Sequence, residues 1–176
     1  MKIDRPAATE YAAWYESYVA RVQDDDVLIA FERQPTEIGR ALATVSKERA
    51  GFRYAPDKWT VREVLGHLID CERVFGYRVM CMARGDATPL PGFDENGYAA
   101  HAGHDRYPLA ELLAEFEALR RSHVSMLAHL DGDALVRAGT ANGHRVSVRA
   151  LIFIMVGHVR HHLAILATRY GIGGGA

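Results

Sequence analysis

A long apolar helix that carries two histidines constrains the fold of this chain more than any other sequence feature. The apolar run extends from Val148 to about Ala167 and includes an H-x-x-x-H motif formed by His158 and His162. Because residues four apart lie on one face of an α-helix, the two imidazoles are predicted to stack one turn apart. They continue a spacing of four and three residues that is typical of the face a helix turns toward bundle partners. The sequence therefore predicts a helical bundle with two histidines at core positions.

The segment from Thr60 to about Ala83 is predicted to be a second long helix with a third inward histidine. Thr60 and Glu63 have the spacing of a capping box, in which both side chains bind free amides at the helix start. Gly85 follows the last apolar turn and is predicted to end the helix. His67 lies on the apolar face, so its imidazole is predicted to point into the same core.

The rest of the chain completes the prediction of a four-helix bundle. The connection from Gly85 to Tyr107 is long and rich in Pro and Gly, which allows the helix after it to run parallel to the helix before it. A turn is predicted at 141–143, and no strand is predicted. The predicted fold is all-α, with a long crossover between helices 2 and 3. Further helical stretches are predicted at 8–22, at 27–47 with a break where Pro35 would begin a helix, and at 108–130.

Length and composition indicate one soluble domain. The chain has 176 residues, 49% of them apolar, and its net charge of −1 favours neither nucleic acid nor a membrane as partner. No signal peptide is evident, and the longest uninterrupted apolar run, LIFIMVGH, is far shorter than the roughly 20 residues that span a bilayer. Cys71 and Cys81 lie about 15 Å apart on one helix, which indicates reduced thiols in a cytoplasmic protein. Residues 1–176 are predicted to form one domain with a flexible tail at 171–176.

The three inward histidines predict a metal site. An i, i+4 pair such as His158 and His162, with His67 from a neighbouring helix, is an economical way to build a metal site in a bundle core. Imidazole binds zinc, nickel, copper and iron, and three protein ligands with an open position are typical of catalytic sites. The alternative is that each is a core histidine bonded to a carbonyl or carboxylate. A zincin is excluded, because the residue after His158 is Val159 rather than glutamate.

The other histidines and Cys71 are weaker candidates. His123 lies on the apolar face of the third long helix and could be a fourth ligand, a supporting group or a core residue. His161 points about 100° away from its neighbour in the motif and is predicted at the rim of the site. Cys71, one turn after the first histidine, could bind a soft metal or be a small core residue. Four histidines are predicted to be solvated: His101, His104, His129 and His144.

Two charged residues of the second helix are candidates for supporting roles. Asp70 is the first candidate to accept the second N–H of a metal-bound His67, because Glu63 is already explained as a helix cap. Arg78 lies about 16 Å along the helix from the histidine, too far to touch the metal. It could bind the anionic end of a substrate, or it could pair with a loop carboxylate such as that of Asp94 or Glu95.

Two motifs together resemble the DinB/YfiT-like superfamily of bacterial metal-binding four-helix bundles. The first, W-x-x-x-E-x-x-x-H, begins at Trp59, and the second is the H-x-x-x-H motif near the C-terminus. The resemblance extends over about residues 26–170. It implies an up-down-down-up bundle, frequent dimers, and a divalent metal, commonly nickel or zinc, on His67, His158 and His162. Characterised members of this superfamily include thiol-dependent S-transferases and a mycothiol-dependent isomerase.

Four functions are compatible with these observations. The leading hypothesis is a metal-dependent S-transferase that uses a low-molecular-weight thiol and a small-molecule substrate. The second is hydrolysis by a metal-bound hydroxide, and the third is a non-catalytic metal-binding stress-response protein in which protein ligands fill every position. The fourth is a helical interaction module without metal. The sequence identifies no catalytic base, although His161 and His123 are candidates, and a homodimer is predicted.

Overall fold

Four long helices dominate the computed structural model, which describes residues 2–173. Short helical segments and one hairpin connect them. The α-helices are α1 (Glu16–Val19), α2 (Val27–Leu42), α3 (Lys47–Ala50), α4 (Val61–Ala83), α5 (Glu95–Ala102), α6 (Leu109–Leu127), α7 (Gly132–Val136) and α8 (Val148–Tyr170). The strands are β1 (Ala138–Ala141) and β2 (His144–Ser147), and 3-10 turns lie at Ala8–Glu10, Ala13–Tyr15 and His104–Arg106.

The long helices α2, α4, α6 and α8 run up, down, down and up. Thr60, at the start of α4, donates a hydrogen bond to Asp105, just before α6 begins, so these two helices run parallel. The hydroxyl of Tyr170, at the end of α8, donates to the carbonyl of Trp59 at 2.6 Å, so α8 runs antiparallel to α4. Both α2 and α4 pack against both α6 and α8. The predicted all-α fold with a long crossover is confirmed.

The core of the bundle surrounds α8. Every residue from Val156 to Val159 is buried, and most of the helix is apolar on all sides. By length and composition alone, α8 could cross a membrane, but the greater part of it is buried between the other helices, as in the core helix of a soluble fold. Thr60 and Glu63 form the predicted capping box at the start of α4.

The predicted helix at 8–22 is wrong in its extent. Extended backbone at Tyr11 and Ala12 separates the two 3-10 turns, and only Glu16–Val19 is α-helical. The carboxylate of Glu10 causes part of this break, because it accepts hydrogen bonds from the amide of Ala7, the hydroxyl of Ser147 and the guanidinium of Arg149. These bonds tie the N-terminal segment to the start of α8.

We expect the Glu10 anchor to weaken in acid. The hydrogen bond from Arg149 is the largest cause that lowers the pKa of Glu10 from 4.5 to about 2. Between pH 4.5 and 2 the unfolded chain therefore binds more protons than the folded chain, so this stabilisation is complete above pH 4.5 and is lost toward pH 2. Glu10→Gln should lower the free energy of unfolding at pH 7 by about 1–2 kcal/mol. It should also flatten the acid dependence in urea titrations, whereas the exposed Glu111→Gln should match the parent; equal slopes for all three proteins would contradict the anchor.

Pro35 was predicted to begin a helix, and this prediction is wrong: the residue lies inside α2. Proline has no N–H, so the carbonyl of Phe31, four residues earlier, has no donor within the helix. The guanidinium of Arg120 on α6 donates to this oxygen from Nη1 at 3.1 Å. The helix therefore continues through the proline because a neighbouring helix supplies the missing hydrogen bond.

The long connection and the hairpin contain more structure than predicted. Asp94 caps α5, which lies within the predicted loop. The predicted turn forms with Asn142 at a φ of 52° and Gly143 at 76°, and it joins two short strands that were not predicted. Leu90 pairs with β1, which holds the connection against the hairpin. At the C-terminus Ile172 is buried, in contrast to the predicted flexible tail at 171–176, of which residues 174–176 lie outside the described residues.

Candidate metal centre

Three buried imidazoles converge where α4 and α8 pack together. The Nε2 atom of His158 lies 3.1 Å from that of His67 and 3.1 Å from that of His162. Around a tetrahedral first-row metal with bonds of about 2.05 Å, ligand nitrogens would be about 3.3 Å apart. The three nitrogens therefore fit a common metal ion after a small outward movement. Their convergence follows from the i, i+4 spacing on α8 and the antiparallel packing of α4.

Burial keeps these imidazoles in the form that binds metals. Desolvation lowers the pKa of His67 to about 4 and lowers the pKa of His158 and of His162 well below the ordinary value. Interactions among the imidazoles themselves add to this effect. All three are neutral at pH 7, so each has a lone pair available for coordination. Within the described part of the chain, the Nδ1 atom of His162 is buried without a hydrogen-bond partner.

Cys71 lies beside the converging nitrogens and is a candidate fourth ligand. Its Sγ atom lies 3.6 Å from Nε2 of His67, and the ligand atoms of His67, Cys71 and His158 all lie within 4.8 Å of one another. His162 is missing from that compact group, although its Nε2 atom is as close to His158 as that of His67 is. The 3.1 Å contacts join the nitrogen atoms directly, so His162 is a candidate ligand together with His67 and His158. Burial raises the pKa of the Cys71 thiol well above its usual range, so it is protonated at neutral pH.

A cavity of about 350 Å³ opens beside the imidazoles. Aromatic side chains form much of its wall, and three polar residues of α4, α5 and the hairpin turn also line it. The aromatic residues are Trp14, Tyr15, Tyr18, Trp59, Phe75 and Phe93, and the polar residues are Arg78, Glu95 and Asn142. A donor set of this kind beside an organic-sized cavity is typical of a small-molecule site.

The N-terminal segment supplies part of this wall. The ring of Tyr18 meets the rings of His158 and His161 edge-on, with centroids 5.3 and 5.2 Å apart. The segment approaches α8 at Gly157, where an added Cβ would lie 2.0 Å from the carbonyl oxygen of Tyr18. Gly157 stands directly before the first histidine of the motif, which is the one sequence signal that could have indicated a close backbone contact here. Tyr18 is not among the residues predicted from the sequence to lie at the site.

Of the two weaker histidine candidates, one lies at the cavity and the other does not. His161 is half-buried at the rim of the cavity, as its position in the motif predicts. His123 lies elsewhere: its Nδ1 atom is 3.1 Å from the carboxylate of Glu72, which in turn pairs with Arg120. His123 therefore belongs to a buried polar network between α4 and α6, away from the converging nitrogens.

Of the two charged candidates on α4, Arg78 lines the cavity and Asp70 does not. Asp70 lies near Arg73, 3.9 Å away, and no hydrogen bond among residues 2–173 joins it to His67. Arg78 is buried and lines the cavity. Its Nη2 atom donates to the carbonyl of Pro91 at 2.7 Å. Neither Asp94 nor Glu95 forms an ion pair with it.

One of the four histidines predicted to be solvated is buried. The ring of His104 covers Gly66 so closely that an added Cβ there would lie 2.0 Å from the ring. The missing side chain of Gly66 creates the space for His104, which could not be predicted without the position of the loop. His101, His129 and His144 are exposed as predicted.

Comparison with known proteins supports the fold and the family. The structure is similar to that of YfiT from Bacillus subtilis, described as a probable metal-dependent hydrolase with an unusual four-helix bundle topology. The TM-score is 0.72 at 17% sequence identity, over 97% of this chain and 94% of that chain. No curated protein matches the sequence. Residues 30–166, including all three converging histidines, match the DinB superfamily. The chain belongs to the DinB superfamily.

Proposed function

We propose that this protein is a divalent-metal-dependent enzyme that transfers a low-molecular-weight thiol to a small electrophile. The observation that carries the proposal is the convergence of three neutral imidazoles on the wall of a 350 Å³ cavity, with Nε2 of His158 lying 3.1 Å from Nε2 of each of the other two. His67, His158 and His162 would hold the cation, nickel or zinc in our proposal. Because all three histidines line the cavity, a metal held by them would have a coordination position available to a ligand in the cavity, which favours catalysis over a purely structural site.

A bound divalent cation would lower the pKa of a thiol that enters the cavity, which favours the nucleophilic thiolate. A free thiol has a pKa of about 8.5, whereas that of water is about 15.7. A thiol therefore needs a much smaller shift than water to ionise at neutral pH. In the transfer step the S–H proton leaves to solvent, the sulfur electron pair forms a bond to carbon, and the leaving group departs with its own electron pair.

The chain's own side chains would position the reactants and exclude water. Trp59 lies against His67, with ring centroids 4.7 Å apart, and Tyr18 covers His158 from the other side. These rings fix the two imidazoles by packing, and they present apolar surface to an organic electrophile. Burial raises the pKa of Tyr18, so its hydroxyl is protonated and can donate a hydrogen bond to a leaving group.

Hydrolysis is the second candidate, with water as the nucleophile at the same site. The description of YfiT as a metal-dependent hydrolase favours it, and it needs the same three histidines. A third candidate is a non-catalytic site in which Cys71 fills the last position, since its sulfur lies 3.6 Å from His67. Assays with and without thiol, together with a Cys71 variant, separate these candidates.

The test is a thiol-consumption assay with the metal-loaded protein. Nickel- or zinc-loaded protein is mixed with glutathione, bacillithiol or mycothiol and 1-chloro-2,4-dinitrobenzene, and the loss of free thiol is followed. We expect turnover with at least one thiol and background rates in His158→Ala. His129→Ala is the matched control, because His129 is exposed and outside the cavity, and it should retain full activity.

Two outcomes would reject thiol transfer. Hydrolysis of 4-nitrophenyl acetate without any thiol, combined with no thiol consumption, would establish the second candidate. Absence of both activities, combined with loss of bound metal in Cys71→Ala, would establish the non-catalytic site. Dimer formation and a cytoplasmic location remain predictions.

A further inference from the structure

The cavity has a second functional end, formed by a buried arginine without an acidic partner. Arg78 is 3% exposed, and within residues 2–173 none of the ion pairs includes it. Its described polar contact is one hydrogen bond to the carbonyl of Pro91. A guanidinium has five N–H donors, and charged residues are rarely buried unless they are paired. A buried cation that faces a cavity in this state has capacity left for an anion.

The position of Arg78 relative to the imidazoles sets the size of such a ligand. The guanidinium carbon lies 5.7 Å from the centre of the Phe75 ring, which is 5.9 Å from the centre of the His158 ring. The guanidinium is therefore at most about 12 Å from His158, the sum of these two distances. Phe75 is a neighbour of both groups and lines the cavity, so a ligand that reaches both would pack against an aromatic surface.

We propose that this cavity binds a small organic monocarboxylate, with the carboxylate on Arg78 and the apolar part along the aromatic wall toward the imidazoles. The inference rests on the proposed function only for the reacting end of the substrate. Arginine and carboxylate match geometrically and can form two parallel hydrogen bonds. The nearby acidic side chain of Glu95, which also lines the cavity, disfavours ligands of higher negative charge such as phosphate esters.

Contacts between the hairpin turn and the long connection fix the surroundings of Arg78. Asn142, at the hairpin turn, packs onto Gly92, where an added Cβ would lie 2.3 Å from the amide oxygen. Its backbone N–H donates to Leu90 at 3.0 Å, which fixes the turn against the long connection. The same connection supplies the carbonyl of Pro91 that orients Arg78. Three segments distant in sequence thus meet around the guanidinium.

The test is a binding titration, and it can be done on metal-free protein. Both tryptophans of the chain, Trp14 and Trp59, line the cavity, so their fluorescence reports occupancy. The probes are 4-phenylbutyrate, its uncharged amide 4-phenylbutyramide, and 2-phenylethyl phosphate. We expect the carboxylate to bind at least about tenfold more tightly than the amide, and more tightly than the phosphate. Because no metal is present, this preference is independent of the proposed function.

Variants assign the preference to Arg78. Arg78→Gln should bind acid and amide with nearly equal affinity, whereas Arg78→Lys, which keeps the charge, should retain part of the preference. Glu95→Gln should bind the carboxylate more tightly than the parent.

Circular dichroism melting establishes that each variant is folded, and the acid–amide comparison on the parent protein needs no variant. Equal binding of acid and amide by the parent, no binding of either, or a preference that survives in folded Arg78→Gln would overturn the proposal. Tighter binding of the phosphate would overturn the carboxylate assignment.

Discussion

Replacing His158 with alanine is expected to abolish metal binding. The Nε2 atom of His158 is the shared neighbour of the other two nitrogens, at 3.1 Å from each, so its removal leaves only two of the three imidazole ligands. The parent protein, loaded with nickel or zinc and desalted, should retain about one metal ion per chain, and the variant almost none. Elemental mass spectrometry measures this content. A ligand at 100 times its dissociation constant stabilises a protein by about 2.7 kcal/mol, so the metal-dependent rise in melting temperature should also disappear.

Two matched variants sharpen this result. His161→Ala removes the histidine beside His162 in sequence, but its ring is half-buried at the cavity rim, so metal content should stay near that of the parent. Cys71→Ala should also retain the metal if three imidazoles suffice, and lose it if the thiol is a required fourth ligand. A parent protein that binds neither ion, or a His158→Ala variant that binds as well as the parent, would show that the three histidines are core residues only.

The largest effect on stability is expected for Arg120→Met. Arg120 is 1% exposed, and its guanidinium donates to the carboxylate of Glu72 at 2.7 Å and to the carbonyl of Phe31 at 3.1 Å. It also lies 3.8 Å from the centre of the Phe31 ring. Removing it leaves a buried carboxylate without its cation and a carbonyl without a donor. Breaking a buried ion pair from one side costs about 3–5 kcal/mol, and the free energy of unfolding from urea titrations should fall by that amount.

A double variant separates the buried charge from the lost packing. Arg120→Met combined with Glu72→Met removes both charges, so it should recover part of the stability lost in the single variant. Arg121→Met is the control, because its side chain is exposed, and it should change the free energy of unfolding by less than about 0.5 kcal/mol. If Arg120→Met were as mild as this control, the ion pair would contribute little to the fold.

The residue placements that the sequence predicted correctly are those set by regular helix geometry. The i, i+4 spacing brings His158 and His162 together whatever the rest of the chain does, and the capping box at Thr60 fixes where α4 begins. The long connection allows α4 and α6 to run parallel, and they do. Such features depend on local rules, so one sequence is enough to read them.

The missed features depend on contacts between distant segments. Tyr18 reaches the imidazoles only because Gly157 allows its backbone to approach α8. His104 is buried because Gly66 has no side chain, and His123 binds Glu72 across two helices instead of joining the metal ligands. Arg78 could be placed near a substrate or a loop acid from sequence, but only the folded connection shows that Pro91 orients it. Nothing in local periodicity encodes these pairings.

The proline within α2 also has a consequence for the order of folding. The carbonyl of Phe31 obtains its hydrogen bond from Arg120, 89 residues further along the chain. The middle turn of α2 is therefore incomplete until α6 has docked, although α2 is synthesised first. If α2 packed against another helix in place of α6, the carbonyl oxygen of Phe31 would lack the hydrogen bond from Arg120. This hydrogen bond therefore distinguishes α6 from the other helices as a partner of α2.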